Sequence, residues 1–215
     1  MRRNKHTLWA AIGFLAAFVL WTIAVRFIDV APIGPNGSVV GFATPNRFIH
    51  NATGVHMFLY NLTDWLSLIP ITAALSFAIL GLVQWIIRKS LFKVDFSLLI
   101  LGGFYIVVIA VYLFFESNVI NHRPVLINGN LEASYPSSTT VLVICVMSTA
   151  IMQLNQRIRK HGLKRCVGHA GVVYIVIMIV SRLLSGVHWF SDIAGGILLS
   201  SGLVMLYAFL ISLRA

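Results

Sequence analysis

Charge is what this sequence has least of. Only 10% of its 215 residues are Asp, Glu, Lys or Arg, and just six are acidic; a soluble domain carries about 25% charged residues. No carboxylate cluster exists to hold a divalent cation, and no cysteine–histidine spacing suggests zinc. The two cysteines, Cys145 and Cys166, lie in or beside apolar runs. They read as small apolar packers, not as a disulfide. A phosphate-cradling Gly-rich loop, a His-Glu-x-x-His pair and a Gly-x-Ser-x-Gly elbow are all missing. The formal net charge of +10 does not point to nucleic acid. It is dispersed in short blocks between apolar runs, without a basic domain or an aromatic–basic platform.

Apolar sequence fills the space that charge leaves. The chain is 59% hydrophobic with a mean hydropathy of +0.90, so the bilayer is its main solvent. A membrane span needs about 20 apolar residues. Six segments qualify: Leu8–Ile28, Leu66–Ile87, Ser97–Phe115, Pro136–Leu154, Val167–Leu184 and Trp189–Leu213. The expected fold is all-α, a single polytopic unit over residues 1–215. Met1–His6 resembles the basic leader of a signal peptide, but the apolar run that follows is too long for a cleaved one and carries no small-residue cleavage site. It reads as an uncleaved anchor.

The basic residues set an expected orientation. Arg2, Arg3 and Lys5 precede the first span, Arg88, Lys89 and Lys93 follow the second, Arg157, Arg159, Lys160, Lys164 and Arg165 follow the fourth, and Arg214 follows the sixth. Twelve of the sixteen Lys and Arg thus share one side, while five of the six acidic residues lie on the other. Both termini are expected in the cytoplasm. Residues 29–64 form the longest extracytoplasmic loop, in which Phe48–Leu59 reads as an interfacial amphipathic helix or a packed connector.

Against this apolar background the string Ser181-Arg182-Leu183-Leu184-Ser185-Gly186-Val187-His188-Trp189-Phe190-Ser191-Asp192 stands out. Ionisable residues are expensive in hydrocarbon, and a cluster of them marks a functional site by default. His188 and Asp192 are spaced to share one helix face. The carboxylate would then hold one ring nitrogen and leave the other free. Arg182 offers a bidentate clamp for phosphate oxygens. Nucleophile, orienter and clamp together suggest phosphoryl transfer.

The string Ser-Arg-x5-His-x3-Asp resembles the third motif of the type 2 phosphatidic acid phosphatase superfamily. That family's first two motifs are Lys-x6-Arg-Pro and Pro-Ser-Gly-His. Here Asn121-His122-Arg123-Pro124 and Tyr135-Pro136-Ser137-Ser138-Thr139-Thr140 stand in the same order and on the same expected side. The resemblance implies a six-span bundle whose His188 attacks phosphorus to form a phosphohistidine, with Asp192 as its orienter. Arg123 and Arg182 would hold the phosphate oxygens. Ser137 and the backbone N–H groups near Ser138 and Thr139 would add donors at a helix start. The implied substrate is a lipid phosphate or diphosphate in the bilayer, such as phosphatidic acid, phosphatidylglycerol phosphate or a polyprenyl diphosphate. No cofactor, metal or nucleic acid is implied.

The sequence departs from the family pattern twice. Glu116 stands where the first-motif Lys would be, and Thr139 where the second-motif His would protonate the leaving oxygen. Three readings follow: His122 supplies the proton, the substrate is a diphosphate that needs little help in leaving, or the protein binds or moves phospholipid without turning it over.

Overall fold

The computed structural model describes residues 2–214, with side chains from Lys5 onward. The side chains of Arg2 and Arg3, part of the first basic block, lie outside the described residues. Eight α-helices follow in order: α1 Arg2–Phe27, α2 Ala43–Thr53, α3 Met57–Leu66, α4 Leu68–Arg88, α5 Phe96–Ser117, α6 Ser138–Arg157, α7 His161–Leu184 and α8 Phe190–Ile211. No β-strand is found among the described residues, only isolated bridges. Among the described residues, six helical stretches are long and apolar enough to cross a membrane: Lys5–Phe27, Met57–Arg88, Phe96–Ser117, Ser138–Arg157, His161–Leu184 and Phe190–Arg214.

The second stretch begins earlier than the sequence predicts, and Pro70 explains its shape. Proline has no N–H and its ring crowds the carbonyl four residues back, here Leu66. The chain tightens there: the Ser67 N–H donates to the Thr63 and Asp64 carbonyls and its hydroxyl to Thr63 O at 2.7 Å. The Leu66 carbonyl, deprived of its helical donor, accepts from the Tyr174 hydroxyl at 2.9 Å instead. One proline therefore separates α3 from α4 and ties their junction to α7.

The single amphipathic helix expected over Phe48–Leu59 is two helices. Gly54 (φ 71°) ends α2, and α3 starts at Met57. The break is needed for packing. The His56 N–H donates to Ser185 O at 2.9 Å, and a Cβ on Gly186 (φ 67°) would lie 2.0 Å from Gly54 O. The connector thus lies directly on the loop between α7 and α8.

The centre of the bundle is α8. It packs most extensively on α1 and then on α6. Gly202 lets Leu15 of α1 come close, Gly195 accepts the ring of Tyr135, and Gly196 sits against Thr140. A Cβ at Gly202, Gly195 or Gly196 would fall 2.7, 2.6 or 3.1 Å from those neighbours, which is the helix-approach role expected of small residues. At one end of the bundle, Asp95 gathers Gln84, Arg88 and Arg157. Those hydrogen bonds and ion pairs, led by Gln84, hold its carboxyl below the usual range. The starts of α6 and α8 meet at the opposite end.

Candidate active site

Residues 121–134 double back between α5 and α6. The Arg123 N–H donates to Glu132 O at 3.0 Å and the Ser134 N–H to Asn121 O at 2.9 Å. Asn128 (φ 50°) and Gly129 (φ 80°) turn the chain through the left-handed region that a two-residue hairpin loop demands. Successive residues of an extended segment face opposite sides. Asn121, Arg123, Glu132 and Ser134 therefore share one face, and His122 takes the other. The Arg-Pro sequence positions its guanidinium through this alternation.

Three further segments converge on that face. Ser137 caps α6: its buried hydroxyl accepts from the Thr140 N–H and hydroxyl, and its own N–H donates to Asp192 O at 3.1 Å. Ser138 and Thr139 follow in the first turn of α6, where backbone N–H groups have no acceptor within the helix. His188 lies in the link between α7 and α8, and Asp192 in the first turn of α8.

His188 and Asp192 are not neighbours on one helix face. His188 precedes α8, and Asp192 turns back to cap that helix, accepting from the Trp189 N–H at 3.0 Å. Asp192 Oδ1 accepts from Asn121 Nδ2 at 3.1 Å, and Oδ2 from the Ser134 hydroxyl at 2.5 Å. The same hydroxyl lies 2.9 Å from His188 Nδ1. The direct bond expected between carboxylate and imidazole is replaced by one serine. The other ring nitrogen, Nε2, is buried and has no partner. Burial first, then the charges of Arg123 and Arg182, hold His188 well below its ordinary pKa.

Both arginines are buried beside the ring of Tyr60, at 5.8 Å for Arg123 and 4.7 Å for Arg182. Arg182 Nη1 donates to Thr63 Oγ1 at 2.8 Å and Asp64 Oδ1 at 3.0 Å. Arg123 Nε is 3.1 Å from Glu132 Oε2, close enough to pair but without the N–H aimed at the oxygen, and its Nη1 has no partner.

A cavity of about 530 Å³ opens on this cluster. His188, Arg123, Ser134, Ser138 and Thr139 line its polar wall, with the carboxylates of Asp64, Glu116 and Glu132. Apolar side chains of α5 and α6, among them Val108, Tyr112, Phe115 and Leu142, line the remainder. Arg182 and Ser137 stand behind the wall rather than on it. His122, expected as a substitute acid, is on the far face of the hairpin. Its carbonyl accepts from Trp189 Nε1 at 2.7 Å, and it does not line the cavity.

Sequence reasoning missed Ser134, Asn121, Asn46 and Tyr60. Asn46, fully buried in α2, holds Ser191 through both its amide atoms, at 2.9 and 3.0 Å. Asn121 and Ser134 are uncharged loop residues, and Asn46 and Tyr60 sit in short helices with no charge to mark them. Only the three-dimensional pairing shows that they hold the site together.

A buried imidazole with a free nitrogen, two arginines and a cavity walled by membrane helices define a class, and comparison gives it a name. The chain belongs to the PAP2 superfamily, whose family model matches residues 104–214. Its fold is similar to that of a crystal structure described as the first transmembrane PAP2 type phosphatidylglycerolphosphate phosphatase from Bacillus subtilis. The two are 18% identical, with a TM-score of 0.64 over 96% of this chain and 98% of that one. No curated protein sequence matches the chain.

Proposed function

We propose that the protein is a membrane lipid phosphatase that works through phospho-His188. The observation that carries this reading is the unpartnered His188 Nε2 in the polar wall of a cavity that also holds Arg123 and whose other side is lined by apolar residues of α5 and α6. Membership of the superfamily and the likeness to a phosphatidylglycerolphosphate phosphatase support it.

In this reading the substrate phosphate sits against Arg123, with Arg182 charge behind it and the first-turn N–H groups of Ser138 and Thr139 as further donors. The Nε2 lone pair attacks phosphorus, the bond to the leaving oxygen breaks, and that oxygen takes up a proton. Water then attacks phosphorus, the P–N bond breaks, and inorganic phosphate leaves with neutral imidazole restored. The residues at the start of α6 supply no imidazole for the first protonation, because Thr139 occupies that place. A phosphate leaving group needs such help far less than an alkoxide does, so a lipid diphosphate suits this site better than a phosphomonoester.

In the cell membrane, as this reading has it, the distribution of the basic blocks supports a catalytic end on the outer face by the positive-inside rule. The test is phosphate release from phosphatidic acid, phosphatidylglycerol phosphate and polyprenyl diphosphate by purified protein, beside His188→Ala. Release by the wild type alone, with an acid-labile phosphoprotein intermediate, supports the reading. Lipid binding with no release from any substrate favours a non-catalytic lipid-binding protein, a reading that Thr139 also motivates.

A further inference from the structure

We infer that Ser134 is a positioning residue that couples Asp192 to His188 and selects which ring nitrogen is nucleophilic. The inference rests on the phosphohistidine reading above and assigns a role to a residue outside the three motifs.

The hydroxyl is 3% exposed at the residue level and bonds both partners, at 2.9 Å to His188 Nδ1 and 2.5 Å to Asp192 Oδ2. Direction follows from what each group can do. Asp192 is surrounded by donors: Asn121 Nδ2 and the Ser191 hydroxyl on Oδ1, the Trp189 N–H and the Ser134 hydroxyl on Oδ2. That is the environment of an ionised carboxylate, which only accepts. Ser134 therefore spends its single proton on Asp192. Its oxygen can then only accept from His188, so the imidazole carries its proton on Nδ1. The lone pair is left on Nε2, the atom without a partner.

Asp192 cannot perform this service alone. Its carboxylate is held by the cap of α8 and by Asn121, and Ser134 fills the gap to the ring. The serine is itself fixed: its N–H donates to Asn121 O, opposite it in the hairpin. When His188 becomes phosphorylated on Nε2, the ring turns cationic with Nδ1–H still pointing at Ser134. The same path then brings it the carboxylate charge.

The test combines ¹⁵N NMR of histidine-labelled protein in detergent with turnover of a hydrolysed lipid. His188 is identified among the seven histidines by its disappearance in His188→Gln. In the wild type it should be the Nδ1–H tautomer. Ser134→Ala should lose that preference, and Ser134→Thr, which keeps the hydroxyl, should retain it.

In turnover, Ser134→Ala should lower kcat by about 10²–10⁴-fold, the scale of losing a histidine orienter, with KM changed less than about threefold. Combined with Asp192→Asn, the loss should not exceed that of the larger single change, because both act on one path. An unchanged tautomer in Ser134→Ala, or single losses that multiply, overturns the inference. Wild-type protein that hydrolyses no lipid while the tautomer still follows the Ser134 hydroxyl refutes the phosphatase reading and leaves the positioning role standing.

Discussion

Arg182 Nη1 lies 3.0 Å from Asp64 Oδ1, so the more deeply buried of the two site arginines is already engaged by a carboxylate from α3. The arginine side chain is 3% exposed and the aspartate 48%. Breaking a fully buried pair costs about 3–5 kcal/mol. Solvent at Asp64 screens this one, and Thr63 and the Tyr60 ring remain, so Asp64→Asn should destabilise by about 1 kcal/mol. Inorganic phosphate should raise the unfolding temperature of Asp64→Asn more than that of the wild type, because an anion replaces the lost charge. Equal shifts in both proteins would show that phosphate does not reach Arg182.

His188 gives a pH signature. Its pKa is depressed by burial and by Arg123 and Arg182, so the folded site resists protonation. The imidazole therefore stays neutral below the ordinary histidine value of about 6.5. The acid limb of kcat/KM should fall below pH 6.5, and Arg123→Gln, which removes one opposing charge, should move it upward. Stability has the matching sign. The unfolded chain binds this proton more readily, so His188 reduces stability as pH drops through about 6.5 and has no such effect above it. A limb at or above 6.5, unmoved by Arg123→Gln, would contradict this assignment.

Substrate choice should follow the leaving group. General acid catalysis is worth about 10²–10⁴-fold, and Thr139 cannot supply it. The wild type should prefer a polyprenyl diphosphate to its monophosphate by about 10²-fold in kcat/KM. Thr139→His should raise monophosphate turnover more than diphosphate turnover. His122→Ala should leave the ratio unchanged, because His122 does not line the cavity. Equal hydrolysis of both lipids, with selective loss of the monophosphate in His122→Ala, would restore His122 as the acid.

Orientation is open to labelling. Cys166 is exposed and Cys145 buried, so a Cys166→Ser background is suitable. An impermeant thiol reagent applied outside cells should modify a cysteine at Asn128 and spare one at Lys160. The reverse pattern would place the His188 end of the bundle in the cytoplasm.

The long apolar runs made the fold legible in the sequence, because a backbone in hydrocarbon must satisfy its own hydrogen bonds and becomes helical. The expected start of the second span at Leu66 falls at the junction that Pro70 makes between α3 and α4, whereas a local event overrode the pattern at Gly54, which split the expected interfacial helix. Within the site, Arg123, Arg182, His188 and Asp192 were visible because charge is conspicuous against an apolar background. Their connections were not. Helical spacing suggested a direct His188–Asp192 contact, but Asp192 caps α8 and Ser134 bridges the two. Adjacency to Arg123 suggested His122, but the two-residue alternation of an extended segment turns it away.

The matched family region begins at residue 104, yet Arg182 is held by Tyr60, Thr63 and Asp64, and the first turn of α8 by Asn46 and by Trp21, whose Nε1 donates to Ser191 O at 3.0 Å. The half of the chain that carries the signature motifs is therefore not a transferable module. A chimaera that exchanges residues 104–214 between distant relatives should express as a membrane protein and still misplace its arginine. Exchanging residues 43–66 together with it should restore the match, so these two stretches are expected to drift as one inherited unit.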